Sequence, residues 1–361
     1  MKPKSNDPPE SVTCLSLDQF TEWIKEKGHP TFRAKQIFEW LYQHRVGEYS
    51  EMTNLSIGLR EALVSAAPLF SSKVNTTQHS SDGTIKILIE LHDGEKVETV
   101  MIPEGKRRTV CVSSQVGCGM GCVFCASGLY GMKRQLSAGE IIEQVLHIRR
   151  AMDAEERVSN IVFMGMGEPL ANYRNLDLSI RAFQAEWGCG IGKRHMTVST
   201  VGLLPRAKKL AEDHPQVTLA ISLHGPNNKI RNRVVPTTPH LTVDDLIMAA
   251  RDYFKETHRK PTFEYCMIGN LNSAKEHARE LAFRLRGLEC YVNLIPLNPV
   301  DEIPLDEPAR DEVNSFAAIL REQGIEVAIR RRRGADIDAA CGQLKLKAES
   351  QGFVERAAVT S

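Results

Sequence analysis

The sequence predicts an α/β fold, a partial barrel of six strand–helix units preceded by a small helical module and a β-hairpin. Three observations predict it. Apolar, β-branched stretches recur near residues 109–115, 160–165, 195–200, 217–223, 262–267 and 291–296, with helical patterns between them. Alternating strand and helix builds a parallel sheet. Apolar residues keep helical spacing before residue 70, and take the two-residue period of strands between 84 and 103. Six units, with one later strand at 325–331, suit a partial barrel better than a closed eight-unit one. A doubly wound sheet is the rival architecture.

Residues 1–13 are polar, carry Pro8-Pro9 and read as a disordered lead. Ser16 and Gln19 form a capping box ahead of Leu17, Phe20 and Ile24, and Gly28 can end that helix. A second helix begins at about Phe32, with Ala34, Ile37, Phe38 and Leu41 on one face; a third covers about 56–66. Ser71 to Asp82 looks like a linker. Residues 84–92 and 96–103 flank Asp93-Gly94 as a hairpin, in which Glu98 faces opposite to its immediate neighbours. Ser137 and Glu140 cap a helix carrying Ile141, Val145 and Ile148; Leu246, Ala249, Ala250 and Tyr253 share a face of another. The expected units are 1–75 (helical), 76–108 (hairpin linker), 109–345 (α/β core) and 346–361 (polar tail).

The 361 residues, 42% hydrophobic and 25% charged, suit a globular protein. No apolar run approaches the ~20 residues of a membrane helix, and MKPKSNDPPES lacks a signal-peptide core. The expectation is a cytoplasmic protein without a membrane partner. A net charge of +1 neither requires nor excludes nucleic acid. Lys106-Arg107-Arg108, Lys193-Arg194-His195 and Arg330-Arg331-Arg332-Arg333 are local basic clusters, which a solvated face also explains.

Nine cysteines in a long chain without a signal peptide point to metal or catalytic thiols rather than a disulfide frame. Cys118, Cys122 and Cys125 form a C-x3-C-x2-C loop. Soft thiolates suit iron–sulfur clusters and zinc. A structural zinc takes four protein ligands, whereas three cysteines leave one iron of a cubane open to a cofactor. Ligands of parallel α/β proteins gather at the C-terminal strand ends. There lie Cys118 to Cys125, Gly165 to Pro169, Ser199, Ser222, Leu223, His224 and Asn298. Gly167 allows close backbone approach, and Glu168 can accept from an amino group.

The three-cysteine spacing resembles the radical S-adenosylmethionine superfamily. Cys111-Val-Ser-Ser-Gln-Val-Gly-Cys118, Met164-Gly-Met-Gly-Glu-Pro-Leu, Ala220-Ile-Ser-Leu-His224, Asn293-Leu-Ile-Pro-Leu-Asn298-Pro and Gly334-Ala-Asp-Ile-Asp-Ala-Ala-Cys341-Gly-Gln-Leu follow in that order. Together they resemble the RlmN/Cfr family of RNA adenine methyltransferases, closest to the RlmN branch, over about residues 16–345. The resemblance implies a radical-SAM barrel with a [4Fe-4S] cluster on Cys118, Cys122 and Cys125. It implies S-adenosylmethionine bound by Gly167, Glu168, Ser199, Ser222, Leu223, His224 and Asn298.

The same resemblance implies methylation of Cys341, a radical on that S-methyl group, and its addition to adenine. Adenine C2 and C8 are poor nucleophiles, so a radical route replaces direct polar transfer. Glu98 matches the family position that takes a proton. Attack of Cys111 on Cys341 then frees the methylated RNA and leaves a disulfide, which an electron donor such as a flavodoxin-type reductant must reduce. Implied partners are 23S ribosomal RNA and transfer RNA. The N-terminal helices resemble an RNA-holding accessory domain, with Arg33, Lys35, His44 and Arg45 beside Trp40 and Tyr42, although both aromatics also suit a core. The sequence leaves three rivals to C2 methylation: C8 methylation of the same RNA, a radical activase or maturase of a protein, and a zinc-dependent RNA-binding module. Cys14, Cys189, Cys266 and Cys290 read as ordinary thiols.

Overall fold

The computed structural model describes residues 11–129, 131–298 and 302–337. Helices α1 (Leu17–Glu26), α2 (Phe32–Tyr42) and α3 (Ile57–Ala66) form the N-terminal module. The Ser16–Gln19 capping box is present, and Gly28 follows α1 with a left-handed φ of 78°. Phe20, Ile24, Ala34, Ile37, Phe38 and Leu41 are buried, as the periodicity predicts. Of the lead expected at 1–13, residues 1–10 lie outside the described residues, and the last three are ordered. Ser11, Val12 and Thr13 are buried, and both hydroxyls donate to Glu143 of the barrel.

The stretch expected to be a linker is a strand. β1 (Ser72–His79) pairs antiparallel with β2 (Ile85–Leu91). Its residues are mostly exposed, so no apolar alternation betrays it; the ladder to β2 defines it. β2 pairs with β3 (Lys96–Glu104), and β3 with β4 (Arg107–Cys111). The hairpin is therefore part of a continuous sheet with the barrel. The expected strand at 109–115 divides. β4 stops at Cys111, and β5 (Gln115–Gly117) pairs with β6 (Met132–Gln135) in a separate two-stranded sheet.

From β4 the sheet is parallel. Its order is β4, β7 (Asn160–Phe163), β8 (Met196–Thr200), β9 (Thr218–Ser222), β10 (Thr262–Met267), β11 (Tyr291–Pro296) and β12 (Glu326–Ile329). Between them lie α4 (Ala138–Ala151), α5 (Tyr173–Gln184), α6 (Leu204–Asp213), α7 (Asn228–Val234), α8 (Val243–Thr257), α9 (Lys275–Arg284) and α10 (Arg310–Glu322). Each strand joins on the same side as the one before. Right-handed crossovers then collect the helices on one face. A doubly wound sheet needs a reversal of strand order, and none occurs among the described residues. The order is that of an open barrel.

Strand alternation separates two buried faces. Ile87, Ile89, Val97, Met101, Val110, Ile161, Phe163, Val198, Leu219, Phe263 and Leu294 join the main apolar core with the helices. Their neighbours point the other way, and that inner face carries the polar groups.

Candidate cofactor and catalytic site

The cysteine loop is shaped by close backbone packing. Gly117 has φ 73°, and a Cβ there would meet the carbonyl oxygen of Gly131 at 2.0 Å. The Cys118 N–H donates to that same oxygen at 3.0 Å, and Val123 N–H to the Val234 carbonyl at 3.0 Å. Thr237 donates its hydroxyl to the Met120 carbonyl. Cys118, Cys122 and Cys125 are half-buried. Burial, the charge of Cys125 and that of Glu168 push the Cys118 thiol up to about 11, against N–H donors from Met120 and Gly167. Cys122 is raised further, by burial and by its two partner thiols. Such thiols need a nearby positive charge to become thiolates. Among the described residues no three His, Cys, Asp or Glu side chains converge on one ion position. The loop offers three soft, mutually coupled donors, the set a cubane cluster takes while keeping one iron open.

The turn after β7 is built onto this loop. Gly165 N–H donates to Val112 O at 3.0 Å, and Met166 N–H to the Ser113 hydroxyl at 2.9 Å. Gly167 has φ 101°, and a Cβ there would lie 2.5 Å from Cβ of Gln115. Gln115 Oε1 accepts the Glu168 N–H at 2.8 Å. The Glu168 carboxylate is buried and accepts from Leu170 N–H at 3.1 Å and Val201 N–H at 2.9 Å. Burial lifts it to about 7, against those donors. Glu168 therefore holds the β7 turn to the end of β8.

The other expected cofactor residues lie along the inner face and rim. Ser199 donates to Phe163 O at 2.8 Å, Ser222 ends β9, and Leu223 is fully buried. His224 has φ 57° and accepts the Cys266 N–H at Nδ1, 2.9 Å away, so its proton sits on Nε2. Burial and then Arg231 push it down to about 3, which keeps it neutral. Its ring lies edge-on to Phe124 of the cysteine loop at 4.8 Å. Asn298 accepts from Arg332 Nε at 2.6 Å.

Glu98 and Cys111 come together on the inner face. Leu88 pairs with Glu98, and Val100 pairs with both Lys86 and Cys111. Cross-strand partners and alternate residues share a face. Lys86, Leu88, Glu98, Val100 and Cys111 therefore form one buried patch, separate from the helix-packed core. Cys111 is buried there. Cys341 lies outside the described residues.

Sequence reasoning missed several residues. Gln115 was inside a quoted motif but unassigned. Glu264 is buried on the inner face, accepts from Asn293 at 2.8 Å, and is raised by burial against the charge of Arg330. Arg231 is wholly buried and donates to Val201 O at 2.6 Å and to Thr238 at 2.9 Å. No local pattern marks these residues.

The charges expected to meet RNA divide. Arg45 donates to the carbonyls of Arg149 and Asp153 at 3.0 and 3.1 Å and also to Glu156 O, so it docks the module on the barrel. Tyr42 is core, and Trp40 donates to Asn54 at 2.7 Å. Lys35 and His44 are exposed. Lys106–Arg108 and Lys193–His195 lie at the starts of β4 and β8, at the end of the barrel opposite the site. Arg330–Arg333 follow β12, on the site's rim.

Among the described residues, no helix is long and apolar enough to cross a membrane. Residues 112–282 match the radical SAM superfamily, and residues 12–69 match the ribosomal RNA large subunit methyltransferase N-terminal domain. A probable dual-specificity RNA methyltransferase RlmN of Bacillus cereus is 47% identical over 338 residues, 93% of each chain. The corresponding Bacillus thuringiensis protein is equally similar, 47% over 338 residues and 93% of each chain. A radical SAM methyltransferase from Sphaerobacter thermophilus superposes with a TM-score of 0.90 at 44% identity, covering 93% of this chain and 99% of that one.

Proposed function

The chain belongs to the RlmN family of radical SAM RNA methyltransferases, and from that premise we propose that it methylates C2 of an adenine in 23S ribosomal RNA, and in transfer RNA, through a methyl group carried on Cys341. The juxtaposition of Glu98 and Cys111 on one inner face carries this reading. A carboxylate and a thiol on one buried face support a site for proton and sulfur chemistry.

Cys118, Cys122 and Cys125 would hold the [4Fe-4S] cluster, and Gly167, Glu168, Ser199, Ser222, Leu223, His224 and Asn298 would line the S-adenosylmethionine. When bound, these groups supply the methyl group and the one-electron chemistry that turns it into a reactive carbon. The Cys341 sulfur takes the methyl group, forming an S–C bond as the sulfonium bond breaks. Once that methyl group has given a hydrogen atom to the deoxyadenosyl fragment of a second S-adenosylmethionine, its carbon bonds to adenine C2 and links protein to RNA, and the one electron left on the adduct would return to the bound cluster. Glu98, buried on that face, takes the ring proton. Cys111 attacks the Cys341 sulfur, which forms a disulfide and releases the methyl product; external reduction restores both thiols.

The test is anaerobic turnover of the reconstituted enzyme on ribosomal RNA and transfer RNA, followed by nucleoside analysis. The expected product is 2-methyladenosine in both RNAs. Exclusive 8-methyladenosine would replace the C2 assignment, and RNA product from Cys341→Ala would overturn the carrier role.

A further inference from the structure

We propose that the turn between β1 and β2 is a clamp that positions the Cys341 segment, with Ser80 and Asp82 as its positioning residues. The inference rests on the reading of Cys341 as the methyl carrier. After β12 the chain crosses the site's rim. Arg330 N–H donates to Leu294 O at 2.8 Å, and Arg332 pairs with Asn298 and Glu307. It then meets the turn at the opposite edge of the sheet. Gly334 N–H donates to Asp82 Oδ2 at 3.0 Å. The Ser80 hydroxyl donates to Asp336 Oδ1 at 2.5 Å, and Ser81 N–H to Asp336 Oδ2 at 3.0 Å. Two carboxylates, one from each segment, thus grip the other segment's backbone or hydroxyl.

The turn is built to hold this shape. Ser80 N–H donates to Thr84 O at 2.8 Å and Gly83 N–H to Ser80 O at 3.0 Å. Asp82 Oδ1 accepts from Thr84 N–H at 3.0 Å, which leaves Oδ2 directed at Gly334. Burial opposes the Asp82 charge, but bonds from Thr84, Gly334 and Ser80 outweigh it and hold the carboxyl well below the usual range. Bonds from Ser80 and Ser81 lower Asp336 likewise. Both are ionised at neutral pH, so these are charge-assisted bonds.

β2 begins one residue after Thr84 and carries Lys86 and Leu88 on the face of Glu98. The clamp is therefore fixed to the ladder that holds the catalytic carboxylate. Cys341 follows Asp336 by five residues, a tether of at most ~18 Å. A sulfur that must visit both the methyl donor and the RNA base gains from a fixed pivot at that distance. Without the pivot, the radical chemistry fires with the methyl carbon misplaced.

The experiment compares Ser80→Ala, Asp82→Ala and Ser80→Thr in the anaerobically reconstituted full-length enzyme. Three quantities are read: S-methyl on Cys341 by peptide mass spectrometry, 5′-deoxyadenosine released per adenine methylated, and iron content. Ser80→Ala and Asp82→Ala are expected to raise the deoxyadenosine-to-product ratio roughly tenfold, the effect of losing one hydrogen bond to a charged group, with iron unchanged. Ser80→Thr keeps the hydroxyl and restores the wild-type ratio. A wild-type ratio in Ser80→Ala and Asp82→Ala overturns the clamp; if Asp82→Ala does not fold, the Ser80→Ala and Ser80→Thr pair decides. Cys341→Ala separates the two ideas: RNA methylation by it sinks the carrier reading, whereas an inactive Cys341→Ala beside normally coupled clamp variants sinks the clamp alone.

Discussion

The backbone N–H of Cys266 donates to Nδ1 of His224 at 2.9 Å and thereby fixes the imidazole tautomer. The Nε2–H is left as the ring's donor, and the ring packs edge-on to Phe124 of the cysteine loop. Asparagine tolerates the left-handed backbone found here and reproduces the Nδ1 acceptor. His224→Asn is expected to fold normally and to raise the KM for S-adenosylmethionine about tenfold, the loss of one hydrogen bond. His224→Ala loses the amide bond too and should also lower the melting temperature. Equal KM values for wild type and His224→Asn would remove His224 from the cofactor site.

Gly167 has no room for a side chain. A Cβ would strike Gln115, whose Oε1 holds the Glu168 N–H. Gly167→Ala is expected to cost about 1–3 kcal/mol of stability through overpacking and strain. It should also abolish measurable cofactor binding by calorimetry, with Cys118, Cys122 and Cys125 still able to take up iron. Undiminished binding would mean that the turn yields.

Glu143 docks the N-terminal module. Its buried carboxylate accepts from Ser11 at 3.1 Å, Thr13 at 2.6 Å, Ser71 N–H at 2.8 Å and the hydroxyls of Ser71 and Ser72. Glu143→Ala strands those donors, each worth about 1–3 kcal/mol when left buried and unpaired. Limited proteolysis should then cut near Ser71, releasing the module while iron content persists; resistance equal to wild type would refute the docking role.

His147 sits beside that carboxylate, with its Nε2 3.1 Å from the Ser72 hydroxyl, its ring on Phe70, and Arg150 nearby. Burial, then Arg150, pushes it down from 6.5 to about 4. Between those values the unfolded chain takes a proton that the fold refuses. Stability from this group therefore falls as pH drops from 6.5 to 4, by at most about 3 kcal/mol. Glu143, raised by burial, acts in the opposite sense: its contribution is present at low pH and lost as pH rises through its folded value. Melting temperatures of His147→Gln should decline less steeply than wild type between pH 6.5 and 4. Parallel curves would show that His147 does not titrate across that range.

The three basic clusters should separate in RNA binding. Arg330–Arg333 lie on the site's rim, and Lys106–Arg108 and Lys193–His195 at the far end. Replacing Arg331 and Arg333 by glutamine should weaken RNA binding and reduce the salt slope by about one to two, one per lost phosphate contact. The double substitution of Arg107 and Arg194 should leave both unchanged. The reverse pattern would put RNA on the opposite end of the barrel.

Much of this molecule was legible locally. The Ser16–Gln19 and Ser137–Glu140 caps, the alternating strands and helices, and the spacing of Cys118, Cys122 and Cys125 are all properties of neighbouring residues. β1 was not legible, because Ser72–His79 is exposed and takes its conformation from the β2 ladder. Glu143 was hidden for a related reason: it lies within helix α4, and its donors come from residues 11–13 and 71–72.

The sequence by itself determined the α/β succession, the three-thiol loop and the family resemblance, since periodicity, spacing and motif order need no partner. Only the tertiary structure decided which residues meet. The cross-strand register set Glu98 on the same face as Cys111, and the curl of the sheet brought Asp82 at one edge to Gly334 beyond the other. Hydrogen bonds and burial act over a few ångströms in space, and such distances between remote residues exist only once the sheet has curled.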